Sequence, residues 1–179
     1  MQPSHSPADG HVVADAPFED AGLRSALGCF PTGVTVVTTA SADGRWIGVT
    51  ANSFTSVSMS PPLVLWNLAC KSPSLPAFEQ CRRFAINILA ADQAGICRQF
   101  AAPAVDKFAG VDTFAGLDGV PLIDGAVAHL ECRTAAIYPG GDHLILMGQI
   151  VRYRSRKAAP LMFCKGILSP LNQEALAAL

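Results

Sequence analysis

Short runs rich in Val, Ile, Thr and Phe recur along this chain, and a Gly, Pro or Asp signal closes almost every one. They include VTVVTT (Val34 to Thr39), Trp46 to Phe54, Leu63 to Ala69, FAINIL (Phe84 to Leu89), Val127 to Thr134, HLILMGQIVRYR (His143 to Arg154) and Leu161 to Cys164. β-Branched and aromatic side chains pack well on a pleated surface, so these runs read as strands. The punctuation between them is Ala42-Asp43-Gly44, Pro61-Pro62 and Pro139-Gly140-Gly141-Asp142, all strong turn signals. Many short strands with few helices predict a mainly β fold, a closed or nearly closed antiparallel barrel with peripheral short helices.

Helical spacing is confined to short stretches. Leu23, Ala26, Leu27 and Phe30 share one face after Glu19 and Asp20, and Pro31 and Gly33 end that helix. Ser74 suits the cap of a second helix carrying Leu75, Ala77 and Phe78, with Pro76 in its first turn. Asp92 to Ala101 is a third, with Ile96 and Phe100 on one face, and a small helical tail is expected from Asn172. Residues 1–16 lack periodicity and read as a mobile tail, leaving residues 17–179 as a single domain in which Pro103 to about Gly125 is loop-rich.

Composition excludes several function classes. A net charge of -1 offers no basic surface for nucleic acid or an anionic membrane. Arg152, Arg154 and Arg156 alternate along a strand and are expected on one solvated edge. No apolar stretch is long enough to span a bilayer as a helix and the N-terminus has no signal-peptide pattern, which makes the cytoplasm the expected location. The six cysteines, Cys29, Cys70, Cys81, Cys97, Cys132 and Cys164, never form the close pairs of a zinc or iron–sulfur site, so most are expected as small buried hydrophobes and no metal is expected. In Val127 to Thr134 the side chains of His129, Glu131 and Arg133 alternate away from Ala128, Leu130 and Cys132, which points His129 at solvent or at a charged neighbour.

The chemistry-bearing stretch is GVTANSFTSVSMSPPL, Gly48 to Leu63. Small residues, hydroxyls and an amide with almost no charge suit a backbone-rich cradle for a flat, polar-edged ligand with a phosphate tail. Hydrolytic and Rossmann signatures are missing: there is no G-x-S-x-G, no H-E-x-x-H and no G-x-G-x-x-G.

Taken in order, Gly33-Val34, Thr50 to Ser58, Pro61-Pro62-Leu63, Lys71-Ser72, FAINIL, Asp106-Lys107-Phe108 and Gly141-Asp142-His143 with Gly148 resemble the flavin reductase family. Through DKFAG (Asp106 to Gly110), LIDGAVAHLEC (Leu122 to Cys132) and YPGGDH (Tyr138 to His143) the chain is most similar to NADH:FMN reductases that serve two-component monooxygenases of actinomycete polyketide pathways. The resemblance implies an FMN-binding split β-barrel with Greek-key-like connections, usually a homodimer with flavin near the subunit interface. It implies that Thr50, Ala51, Asn52 and Ser53 line the isoalloxazine edge. Ser56, Val57 and Ser58 would meet the ribityl chain and phosphate, with Lys71 and Ser72 closing the phosphate side. Phe108 resembles the family's aromatic residue near the flavin, and His143 its histidine on the nicotinamide side.

The implied activity is hydride transfer from nicotinamide C4 to flavin N5, with FMN (FAD possible) as flavin, NADH or NADPH as donor, and reduced flavin passed to a partner monooxygenase. Two other functions fit a split barrel: an enzyme with tightly held FMN that reduces its own organic acceptor, and a non-enzymatic flavin- or haem-binding protein. For His143 the competing role is a strand-start histidine bonded to Asp142 or a backbone carbonyl. Trp46 and Trp66 are expected to pack rather than stack on a cofactor, and Phe54 to join the core.

Overall fold

In a computed structural model, which describes residues 19–171, the β-branched runs are strands. The first elements are α1 (Asp20–Leu27), β1 (Thr32–Gly33), β2 (Thr35–Ala40), β3 (Trp46–Ala51), β4 (Thr55–Met59), β5 (Pro62–Ala69), α2 (Leu75–Gln80) and β6 (Arg83–Ile88). After them come α3 (Ala94–Ala101), β7 (Thr113–Ala115), β8 (Pro121–Ile123), β9 (Ala128–Gly140), β10 (His143–Ser155), β11 (Leu161–Cys164) and β12 (Ile167–Pro170). The expected N-terminal tail and the helix from Asn172 lie outside the described residues.

Seven strands form the main sheet in the order β3-β2-β6-β9-β10-β5-β4. All its pairings are antiparallel. The sheet curls until the end of β3 meets β5 again, but no ladder joins those two strands. The seam is instead closed where Ser53 Oγ accepts the Asn67 N–H at 2.9 Å and donates to the Asn67 carbonyl at 3.3 Å. The barrel is therefore split between β3 and β5, and the split is what positions the site.

Strand periodicity fills the interior. On β5, Val64, Trp66 and Leu68 point inward and meet Phe78 of α2, Phe84 and Ile86 of β6, and Leu146 of β10. Trp66 is fully buried, with Phe78 edge-on to its indole at 4.9 Å between centroids. Strand β2 is buried on both faces, which explains its unbroken VTVVTT run: Val37 joins this cluster, while Val36 joins a second one under α3 with Leu89, Phe100 and Leu161. Gly48 makes that second layer possible, because a Cβ there would lie 2.3 Å from the Phe100 ring.

The loop-rich region from Pro103 to Gly125 contains regular structure. Within it β7 and β8 pair as a small ribbon that lies over the outer face of β2, β6 and β9. That face is polar because it clasps the ribbon. Asn87 Oδ1 accepts the Ile123 N–H at 2.9 Å, Thr38 Oγ1 donates to the Pro121 carbonyl at 2.6 Å, and a His129 ring nitrogen lies 2.8 Å from the Ile123 carbonyl. His129 does not face solvent, being 5% exposed and edge-on to Phe114; the charged neighbour, the other expectation, is Arg154, its partner across the strands. Burial holds its imidazole below the ordinary histidine pKa.

Arg152, Arg154 and Arg156 are exposed, as expected of a solvated edge, and they also tie the ribbon down. Arg152 grips the buried Glu131 carboxylate through two bonds of 2.5 and 2.7 Å, Arg154 adds a third, and Arg156 donates to the Gly125 and Ala126 carbonyls. The Leu117 N–H also donates to Glu131, so this carboxylate ties the ribbon to β9 and β10. Burial pushes its pKa up, and the bonds from Arg152 and Leu117 outweigh that and leave it below 4.5. A lowered carboxyl pKa stabilises the fold above the unfolded-state value and the gain disappears as pH falls through the folded value. Glu131→Gln is expected to cost about 1–3 kcal/mol at pH 7 and to flatten the acid-side loss of stability below about pH 4.5. Urea titrations at several pH values measure both, and parallel curves for the two proteins would refute the role.

All six cysteines are free, but only Cys97 and Cys132 are buried; Cys81 and Cys164 are half-buried, and Cys29 and Cys70 are exposed. The expectation of mostly buried thiols thus holds for the minority. Burial pushes the Cys132 thiol up to about 12, which makes it inert. Among the described residues no three His, Cys, Asp or Glu side chains gather to hold a metal. No helix among them is long and apolar enough to cross a membrane.

Candidate active site

The split between β3 and β5 opens into a cleft of about 460 Å³, a size that accommodates a small organic ligand. Its wall from β3 and the following segment is Val49, Thr50, Ala51, Asn52 and Ser53; β5 and its exit contribute Asn67, Leu68, Ala69 and Ser72; the β9–β10 hairpin contributes Gly140, His143 and Ile145. A larger cavity of about 720 Å³ lies between the β2–β3 turn and α2, and it holds none of the candidate residues.

His143 reaches the cleft through strand register. The β9–β10 turn is only Gly141 and Asp142, with Gly141 at a φ of +71°, a conformation L side chains rarely adopt. The first residue after it, His143, pairs with Gly140 on one side and Ala69 on the other, so it stands beside the end of β5. Its Nδ1 lies 2.7 Å from Asp142 Oδ1, and that bond holds the Asp142 carboxyl below the usual range. With Nδ1–H donated to Asp142, Nε2 is left as an acceptor in the neutral ring and a donor in the protonated one. The bond to Asp142 expected of a purely structural histidine is present, and at 44% exposure the ring also remains open to a ligand.

The polar lining divides into groups that hold the fold and groups that remain free. Thr50 Oγ1 donates to the Cys97 carbonyl of α3 at 2.7 Å, and Ser53 closes the seam. Ser72 Oγ accepts the Ser74 N–H at 3.3 Å and shapes the turn after β5. The carboxamides of Asn52 and Asn67 and the open nitrogen of His143 are the groups left to meet a ligand. This donor and acceptor set, flanked by apolar Val49, Leu68 and Ile145, fits a flat heteroaromatic ring with a polar edge.

The structure thus brings Thr50, Ala51, Asn52, Ser53, Ser72 and His143 together. Lys71 is exposed beside them, next in the chain to Ser72. Ser56, Val57 and Ser58 do not line the cleft. They sit on edge strand β4, where Ser56 pairs with Val64 and Ser58 with Leu63, well down β5 from Asn67. Phe108 is also outside it, packed edge-on against Phe100 at 4.9 Å and Trp46 at 5.5 Å. Asn67, Val49, Ala69, Gly140 and Ile145 are lining residues that the motif reading missed.

Residues 27–171 match the model of the flavin reductase like domain. The chain belongs to the flavin reductase family. It is 41% identical over 164 residues to FMN reductase (NADH) SmoA of Agrobacterium fabrum, covering 92% of this chain and 93% of that protein. It is 37% identical over 159 residues to HsaB, the reductase subunit of a flavin-dependent monooxygenase of Rhodococcus jostii, covering 88% of this chain and 80% of that one. The fold of the NADH:FAD oxidoreductase SgcE6 of Streptomyces globisporus, solved with NAD and FAD fragments, superposes with a TM-score of 0.86 at 40% identity, over 92% of this chain and 99% of that one. Against two other relatives the chain spans only 48% and 46% of their length. The split barrel is the fold of this flavin reductase, and reduction of flavin by reduced nicotinamide is its activity.

Proposed function

We propose that the cleft between β3 and β5 binds the isoalloxazine ring of a diffusible flavin, FMN or FAD, and that His143 serves the nicotinamide side. The placement of Thr50 to Ser53, Asn67, Ser72 and His143 around one cavity carries this reading. When bound, the flavin supplies the acceptor, N5, for the hydride carried at nicotinamide C4. The chain's own part is to bind, orient and exclude water. Asn52 and Asn67 hydrogen-bond the ring edge, and Val49, Leu68 and Ile145 give it apolar walls. His143, oriented through Nδ1 by Asp142, offers Nε2 to the nicotinamide carboxamide or to a phosphate oxygen. Lys71 and Ser72 lie on the phosphate side.

The assembly we propose is a homodimer that delivers reduced flavin to a separate monooxygenase in the cytoplasm. Exposed apolar side chains support the dimer: Leu23 and Leu27 of α1 are 43% and 67% exposed and Phe30 76%, and on β4 Met59 is 87% exposed. Side chains of this kind are buried in oligomer interfaces. Six unpaired cysteines suit a reducing compartment.

The test is NADH consumption by the purified protein with and without added FMN, FAD and riboflavin, repeated with NADPH. The rate is expected to rise and saturate with free flavin. A rate independent of added flavin, together with a yellow colour that survives gel filtration, would instead favour tightly held FMN and an organic acceptor.

A further inference from the structure

We propose that Asn67 reads the pyrimidine edge of the flavin ring and so sets the selectivity of the cleft; the inference rests on the placement of the ring proposed above. Along β5 the inward positions are Val64, Trp66 and Leu68, and the outward ones are Leu63, Leu65, Asn67 and Ala69. Asn67 is the single polar side chain of the strand. Its backbone is committed, because Ser53 Oγ engages both its N–H and its carbonyl. Its carboxamide is not: Oδ1 is closed off from solvent and has no hydrogen-bond partner. Its cross-strand neighbour is Ile145, and Leu68 and Ala69 follow it along the cleft wall.

Leaving a buried acceptor unpaired costs folding free energy, and an apolar residue at this position would avoid the cost. An amide held on a rigid backbone, lining a cleft and lacking a partner is suited to a ligand that supplies one. The flavin pyrimidine edge presents C4=O, N3–H and C2=O in one plane. A half-turn about χ2 exchanges the two ends of the amide and turns Oδ1 from its closed position toward the cleft, where it accepts N3–H.

The experiment compares FMN with 3-methyl-FMN, which lacks the N3–H donor. Dissociation constants come from quenching of flavin fluorescence, and thermal melts are recorded alongside, for the wild type, Asn67→Leu and Asn67→Ser. The wild type is expected to bind 3-methyl-FMN about tenfold more weakly than FMN. Asn67→Leu is expected to bind FMN about tenfold more weakly than the wild type, to lose the discrimination, and to melt no lower. Asn67→Ser gives the same pattern and serves if the leucine variant does not fold. A variant that still discriminates between the two flavins overturns the proposal, whatever its affinity for FMN. So does a loss of FMN affinity that simply tracks a lower melting temperature. Failure of the wild type to bind either flavin would instead overturn the placement of the ring in this cleft.

Discussion

His143→Ala is expected to lower kcat/KM for reduced nicotinamide about a hundredfold while leaving the flavin dissociation constant within about twofold. The asymmetry follows from the proposed placement of the ring. His143 enters the cleft from the β9–β10 hairpin beside the end of β5, whereas Ala51, Asn52 and Ser53 enter from the end of β3 and the segment after it, across the seam. A side chain 44% exposed contributes little to packing, so its removal leaves the fold intact. Its Nδ1 bond to Asp142 holds the imidazole in one orientation, and a preoriented donor or acceptor is worth most in the transition state. Stopped-flow reduction at several nicotinamide concentrations separates binding from transfer. An unchanged reduction rate with unchanged flavin affinity would remove His143 from the mechanism.

Trp66→Ala carries the largest expected effect on stability, a loss of about 3–5 kcal/mol. The indole is fully buried and touches rings from two other elements, Phe78 at 4.9 Å and Phe84 at 6.1 Å between centroids. Its Nε1 lacks a hydrogen-bond partner, which detracts from what the side chain contributes and places the expected loss toward the lower end of that range. For a domain of this size the melting temperature would fall by roughly 10 °C. Urea denaturation should show a lower midpoint at unchanged slope. A loss under about 1 kcal/mol would mean that α2 and β6 close over the cavity. Because Trp66 adjoins Asn67 on β5, the variant is also expected to weaken flavin binding.

Strand content was legible because β-branched runs and turn signals are local properties, and VTVVTT or FAINIL need no partner to be recognised. What covers each face was not. In Val127 to Thr134 alternation correctly set His129 and Glu131 apart from Leu130 and Cys132, yet a single strand carries no sign of the ribbon that lies over it. That ribbon is built from TFA and PLI, triplets too short to show a period. The cleft lining was legible where it is contiguous, in Thr50 to Ser53 and at His143. Asn67 was hidden in an otherwise apolar run, where its one signal was an amide in an outward position of β5. Ser56, Val57 and Ser58 continue the motif in sequence, but β4 turns away along the far edge of β5, so adjacency in the chain did not become adjacency in the cleft.

The two-residue turn at Gly141 and Asp142 leaves His143 no slack. Because His143 is the first residue of β10, its direction is set by the same parity that sends Leu144 and Leu146 into the core. Adding or deleting one residue in that turn would point the imidazole inward and bring Leu144 to the cleft. A change in the length of this hairpin is therefore expected to remove His143 from the cleft.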